Sequence, residues 1–123
     1  MSYRFEIDSE RDLVHETWQG PVTLKDILSA FARRRAHPSW HPEIAGFIDL
    51  SDAELRLSTD DVHEIRARVE RRGRSGPWAF VAPGDSTYGQ IRQLQAVSED
   101  LRPIGVFRSR PEACAWLEER LAG

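Results

Sequence analysis

The chain has one cysteine and one lysine. The lone Cys114 excludes a disulfide framework and a cysteine-based zinc site, and it fits a reducing, cytoplasmic interior. No apolar run approaches membrane-spanning length. The first residues, Met1-Ser2-Tyr3-Arg4-Phe5-Glu6, lack the apolar core and small-residue cleavage site of a secretory signal. A dense basic footprint is missing too. The net charge of −3 and the pI of about 5.8 weigh against nucleic acid as a partner. There is no internal repeat and no low-complexity segment. What remains, in 123 residues, is one soluble domain spanning 1–123.

The informative features are three short apolar runs: Gly46-Phe47-Ile48-Asp49-Leu50, Trp78-Ala79-Phe80-Val81-Ala82 and Ile104-Gly105-Val106-Phe107. Each is too short for a buried helix and is bounded by Gly, Pro, Asp or Ser. Each reads as a strand covered on both faces, the mark of a parallel sheet wrapped by helices. Ahead of them, Tyr3, Phe5 and Ile7 alternate with Arg4, Glu6 and Asp8, which is the period of a half-buried strand. Asp8 to Asp12 supplies turn chemistry. Leu13 to Trp18 forms a second strand, ended by Gly20-Pro21, so an antiparallel hairpin opens the chain.

Between the strands lie helix signals. Thr23 with Asp26, Ser58 with Asp61 and Ser109 with Glu112 have capping-box spacing. Leu24, Ile27, Leu28 and Phe31 make the buried stripe of a first helix, which ends in Arg33-Arg34-Arg35 facing the negative end of its dipole. Val62, Ile65 and Val69 line a second helix closed by Gly73. Tyr88, Ile91, Leu94 and Leu101 line a third, capped by Asp85 or Ser86. Ala113, Trp116, Leu117 and Leu121 line a fourth. The residues 73–77 form the most flexible connection. The predicted class is α/β: a five-stranded mixed sheet with the order β-β-α-β-α-β-α-β-α. The amino-terminal hairpin is antiparallel, the last three strands are parallel, and helices lie on the faces.

In this order and in several motifs the chain resembles the SpoIIAA-like family of STAS-related bacterial proteins. The motifs are Asp49 within Phe-Ile-Asp-Leu, Tyr88-Gly89 followed by Arg92, and Val106-Phe107 followed by Ala115-Trp116-Leu117. The loop His37-Pro38-Ser39-Trp40-His41-Pro42 also looks like that family's Pro-flanked aromatic loop. The resemblance implies a compact α/β domain, usually of unassigned function, whose STAS relatives of the anti-sigma-antagonist type are not enzymes and bind a partner protein. In anti-sigma-antagonist relatives, phosphorylation of a serine at the start of the second helix switches binding. That position falls near Ser58, where Leu57-Ser58-Thr59-Asp60 lacks the family's preceding Asp and following Gly. The SpoIIAA-like branch also looks similar to lipid-carrier folds, which implies a small apolar ligand or a membrane surface instead.

Each candidate residue has a structural reading beside the functional one. Ser58 is a helix cap or a phosphoacceptor. Asp49 sits at the carboxyl end of a strand, where α/β folds bind ligands, or it accepts backbone N–H groups from a neighbouring loop. A receiver-type phosphoaspartate fails, because the sole lysine, Lys25, lies at the first helix. Gly84-Asp85-Ser86-Thr87-Tyr88-Gly89 turns from strand to helix as a nucleophile elbow does, but with one residue too many, and all four histidines precede it. Tyr88 is expected to pack on the sheet edge. His37 and His41 lack a third ligand, so neither metal nor cofactor is expected. Trp40 caps the core or anchors an interface, whereas Trp18, Trp78 and Trp116 read as core. Arg66, Arg68, Arg71, Arg72 and Arg74 read as dipole complement and solvated face. The expectation is therefore a non-enzymatic regulatory or protein-interaction domain, with a carrier of a small apolar ligand or lipid as the alternative. Its binding or regulatory candidates are Ser58, Asp49, Asp85, Ser86, Tyr88, Trp40 and Arg92. An exposed first hairpin leaves room for a homodimer.

Overall fold

The computed structural model describes residues 2–72 and 76–122, without the side chain of Arg72. The elements run β1 (Ser2–Asp8), β2 (Leu13–Val22), α1 (Leu24–Arg35), β3 (Ala45–Leu55), α2 (Thr59–Arg72), β4 (Trp78–Val81), α3 (Asp85–Ser98), β5 (Ile104–Phe107) and α4 (Arg110–Ala122). This is the order read from the sequence. Gly73, read there as a helix stop, and the start of the 73–77 connection lie outside the described residues. So do Arg74 and the Arg72 side chain of the basic cluster.

The hairpin turns where Asp8 accepts the backbone N–H groups of Glu10 and Arg11, each at 3.1 Å, and where Asp12 takes a φ of 57°. The five strands lie side by side in sequence order, with β1 antiparallel to β2. The parallel set is larger than expected. β2 leaves the hairpin and pairs parallel with β3, so it joins β3, β4 and β5. Each right-handed crossover then steps one strand in the same direction, which puts the connecting helices on one face. Residues of α1, α2 and α3 do share a single core with Val14, Trp18, Ile48, Leu50, Trp78 and Val106. α4 alone covers the other face, where Ala113 and Leu117 pack on Leu13, Ala45, Phe47, Ala79 and Val81. The outer strands therefore differ: β3 to β5 are covered on both faces, while Arg4, Glu6 and His15 of the hairpin stay exposed on the α4 side.

Two strand ends depart from expectation. β2 does not stop at Gly20-Pro21 but continues to Val22. Among the described residues β1 pairs with it as far as Gln19, and no described residue pairs with that side of β2 beyond this point. Pro21 can put its missing N–H there without breaking a ladder. Gly20 takes a φ of 79°, which side chains disfavour. β3 in turn runs past Leu50 to Leu55, because it follows this extension of β2 after β4 has left it at the Asp49–Val81 pair.

The helices begin where their caps place them. The Thr23 N–H and hydroxyl both donate to the Asp26 carboxylate, at 2.9 and 3.0 Å. The Ser58 hydroxyl accepts the Asp61 N–H at 3.1 Å while the Ser58 N–H donates to the Asp61 carboxylate at 3.0 Å. The Ser109 hydroxyl donates to Glu112 at 2.8 Å. α3 differs: its cap is Gly84, and Asp85 and Ser86 are already helical. It also ends at Ser98, so Leu101 packs against the core from the turn beyond. On α4, Trp116 is half-buried and Leu121 is 39 % exposed, because the sheet beneath is only a few residues long there.

Gly46 of β3 lies opposite Trp78 of β4. A Cβ there would sit 2.5 Å from the indole ring. The ring cannot easily yield, since its Nε1–H donates to the Ile44 carbonyl at 3.2 Å. Gly46→Ala is expected to destabilise the fold by roughly 1–3 kcal/mol in denaturant titration. An unchanged midpoint would show that Trp78 moves aside freely.

Candidate functional site

The face carrying α1, α2 and α3 holds a partly open pocket of about 80 Å³. Its walls are apolar: Trp18 and Val22 from β2, Phe31 from α1, Ile65 and Val69 from α2, Leu94 from α3. Four polar side chains also reach it, Glu16, Arg34, Ser98 and Arg102. An apolar wall with a few polar groups set into it is the usual lining of a small-molecule site.

The polar end is built on a buried ion pair. Arg34 Nη1 donates to Glu16 Oε2 at 2.6 Å, with the two side chains 4 % and 1 % exposed. The last turn of α1 thus turns a charge inward and bonds it to the middle of β2. Three aromatic rings, Phe31, Trp78 and Trp40, surround the guanidinium at 4.9, 5.1 and 5.6 Å. The same Trp78 ring takes Arg102 at 4.9 Å, so two cations share one indole. The Tyr3 hydroxyl is buried beside the pair. Burial, then the nearby Glu16 charge, pushes its pKa well above the phenolic range. Among the described residues, Arg34 Nε, the Ser98 hydroxyl and the Tyr3 hydroxyl are buried polar atoms without a hydrogen-bond partner. Such orphans cost stability unless something completes them.

The other candidates are dispersed. Asp49 is not the last residue of β3 but lies within it, on the α4 side and level with the carboxyl end of β4. Its carboxylate accepts the Ser51 N–H at 2.9 Å and the Arg110 guanidinium at 2.6 Å. Partial burial raises its pKa, but the Ser51 bonds and Arg110 outweigh this and hold it below the usual carboxylate range. Arg110 also lies 5.0 Å from the Phe47 ring, on which His15 stacks at 4.7 Å. Asp85 pairs with Arg108 at 2.6 Å, and Arg108 lies 4.0 Å over the half-buried Tyr88 ring. Ser86 is exposed, and its hydroxyl accepts Gln90 Nε2 at 3.2 Å. Arg92 is exposed and bonds Gln95 at 2.7 Å. Trp40 packs half-buried against the core. Ser58 caps α2. Of the expected candidates, only Trp40 comes near the cavity.

The histidine loop divides its work. His41 Nε2 meets Asp12 at 2.5 Å, and His37 Nδ1 accepts the Ser39 N–H at 3.1 Å. Among the described residues, no three of His, Cys, Asp and Glu are grouped as metal ligands would be. In the basic cluster, Arg66 forms a forked pair with Asp100 at 2.6 and 3.0 Å, and Arg68 bonds Glu64 at 3.1 Å.

Glu16 and Arg34 are the residues that sequence reading missed. The signal was present in their spacing. Glu16 alternates with Val14 and Trp18, and Arg34 extends the Ile27–Phe31 stripe by another turn. Their charge argued for the surface, and their mutual pairing overrode it.

No family model matches the chain, and no curated protein matches it. Among solved structures, it is similar to an uncharacterised protein of the DUF3478 family from Shewanella loihica PV-4, itself described as having a SpoIIAA-like fold. The two share 16 % identity, with 94 % of this chain and 93 % of the other covered, at a TM-score of 0.57. The chain has a SpoIIAA-like fold. At that identity the likeness carries the architecture and leaves the chemistry to this chain's own residues. Within this SpoIIAA-like fold, the rim formed by the carboxyl ends of the strands is occupied by the Asp49–Arg110 and Asp85–Arg108 pairs. The pocket lies beneath the helices instead.

The buried pair has a measurable signature. Arg34→Ala strands Glu16 and should cost about 3–5 kcal/mol, whereas Arg34→Met combined with Glu16→Leu should recover most of that loss. Additive effects in denaturant titration would show the two to be uncoupled. On the other face, partial desolvation of the largely exposed His15 ring, which stacks on Phe47, and then the Arg110 charge hold His15 below its ordinary value of 6.5. The unfolded chain takes up that proton first, so stability falls as pH drops below about 6.5 and levels off once the folded form is protonated too. His15→Gln should flatten this part of the Tm–pH curve, and an unaltered curve would remove His15 as its source.

Proposed function

We propose that the chain is a non-catalytic binding domain whose interior cavity holds a small, largely apolar ligand. The observation that carries this reading is the partly open pocket of about 80 Å³ among α1, α2, α3 and the sheet, walled by aliphatic and aromatic side chains. It is well above the roughly 10–15 Å³ that one water needs. It is also below the usual range of about 300–1,000 Å³ for drug-sized ligands. The occupant is therefore a molecule of few non-hydrogen atoms, or one for which the helices move apart.

The regulatory reading rests on Ser58, and there the local chemistry is less favourable. Its hydroxyl caps α2, with Asp60 and Asp61 in the first turn. A phosphate at that point would trade the cap for a dianion beside two carboxylates.

Xenon tests the cavity directly. In xenon-saturated buffer, amide NMR shifts should change at Ile65, Val69, Trp78 and Leu94 and saturate together, as expected of a single apolar void. Val69→Phe should abolish them by filling the space. Native mass spectrometry of gently purified protein should also show a small adduct that this variant lacks. Scattered, unsaturable shifts together with a bare apo mass would overturn the reading.

A further inference from the structure

We infer that the outer edge of β1 pairs antiparallel with β1 of a second copy of this chain, joining two five-stranded sheets into one. The sheet has two edges, and they differ. β5 is four residues long, and the Gln95 side chain already donates to its Ile104 carbonyl at 2.7 Å. β1 is seven residues long, and among the described residues no strand pairs with its outer side. Such an edge is a template for another strand unless a proline, a bulge or a covering segment blunts it. β1 contains no proline, and its register with β2 runs unbroken from Ser2 to Asp8. Its inward row is also incompletely covered. Tyr3, Phe5 and Ile7 are only half-buried, although the β2 residues beside them, Trp18, Glu16 and Val14, are 4 %, 1 % and 0 % exposed. A further strand alongside would cover the outer flank of that row.

The residue order of β1 says which strand fits. A two-fold axis through the sheet keeps each side chain on its own face, so paired residues must share a face and the pairing is centred on a residue. Centred on Phe5, Arg4 lies opposite the copy's Glu6 and Glu6 opposite the copy's Arg4, while Tyr3 meets the copy's Ile7. Opposite charges across a strand pair are favourable, and like charges are not. Moving the centre to Arg4 would set two arginines face to face, and moving it to Glu6 would do the same to two glutamates. Only the register on Phe5 avoids both. Arg4 and Glu6 are exposed on the face that α4 leaves uncovered, so no helix stands in the way of these pairs. Arg33, 5.2 Å from the Tyr3 ring, also stands near this edge. Tyr3 and its copy then lie four steps apart along the ladder, about 13 Å at roughly 3.3 Å per residue, so the two Arg33 side chains are largely screened from each other.

The test is sedimentation velocity over a concentration series, with charge variants at these two exposed positions. The wild-type chain should pass from monomer to dimer as concentration rises. Arg4→Glu and Glu6→Arg each set like charges opposite one another on both sides of the centre, and each should weaken dimerisation about tenfold or more. Far-UV circular dichroism should stay unchanged in both, so that a lost dimer is not a lost fold. An equimolar mixture of the two variants sets opposite charges together again and should restore the dimer. A chain carrying both substitutions should dimerise by itself for the same reason. A wild-type chain that stays monomeric at every concentration would overturn the inference. A dimer that neither single variant weakens would place the contact elsewhere and overturn it too. A dimer lost in both variants but restored neither by mixing nor by the double substitution would overturn the register on Phe5.

Discussion

Helix α1 reaches its place on the sheet by burying a charge. Its apolar stripe is only half covered, with Leu24, Ile27, Leu28 and Phe31 all partly exposed to solvent. What fixes its last turn is the bond from Arg34 to Glu16 at 2.6 Å, closed over by Phe31, Trp40 and Trp78. Desolvating both ions is costly, and their attraction offsets that cost only in good geometry. The pair therefore tolerates little slippage of α1 against β2. A wholly apolar contact would allow many registers of similar energy; this one allows few. The cavity follows from the same constraint. Glu16, Arg34, Arg102 and Ser98 keep polar bulk on a wall that hydrocarbon side chains would otherwise close.

The folding rules that the sequence obeys most openly concern the sheet. Short apolar runs bounded by breakers gave the right strands, and their order forced the connecting helices to one side. The strand ends were less legible, because they depend on partners. Proline at 21 reads as a stop, yet it lies past the last described β1–β2 pair, Ser2 with Gln19, and β2 continues through it beside β3. Leu50 looks terminal until the extension of β2 carries β3 on to Leu55. Asp85 has the chemistry of a cap, but Arg108 draws its carboxylate across to the next loop and Gly84 takes the capping position. In each case a residue some distance along the chain decides a local question.

The candidate site was legible in spacing and hidden by residue type. Positions 14, 16 and 18 share one face of a strand, and positions 27, 31 and 34 one side of a helix. Charge at 16 and at 34 argues separately for solvent, and only the two together argue for the interior. Single-residue reasoning misassigned Arg34 to the helix dipole for this reason. The sequence reading also placed function on the rim at the strands' carboxyl ends, as open α/β sheets usually have it. Here that rim is consumed by structure: Arg110 and Arg108, both from the β5–α4 junction, tie Asp49 and Asp85 together across it. The polar end of the cavity lies by Trp78 and Ile104, the first residues of β4 and β5, at the opposite end of the sheet.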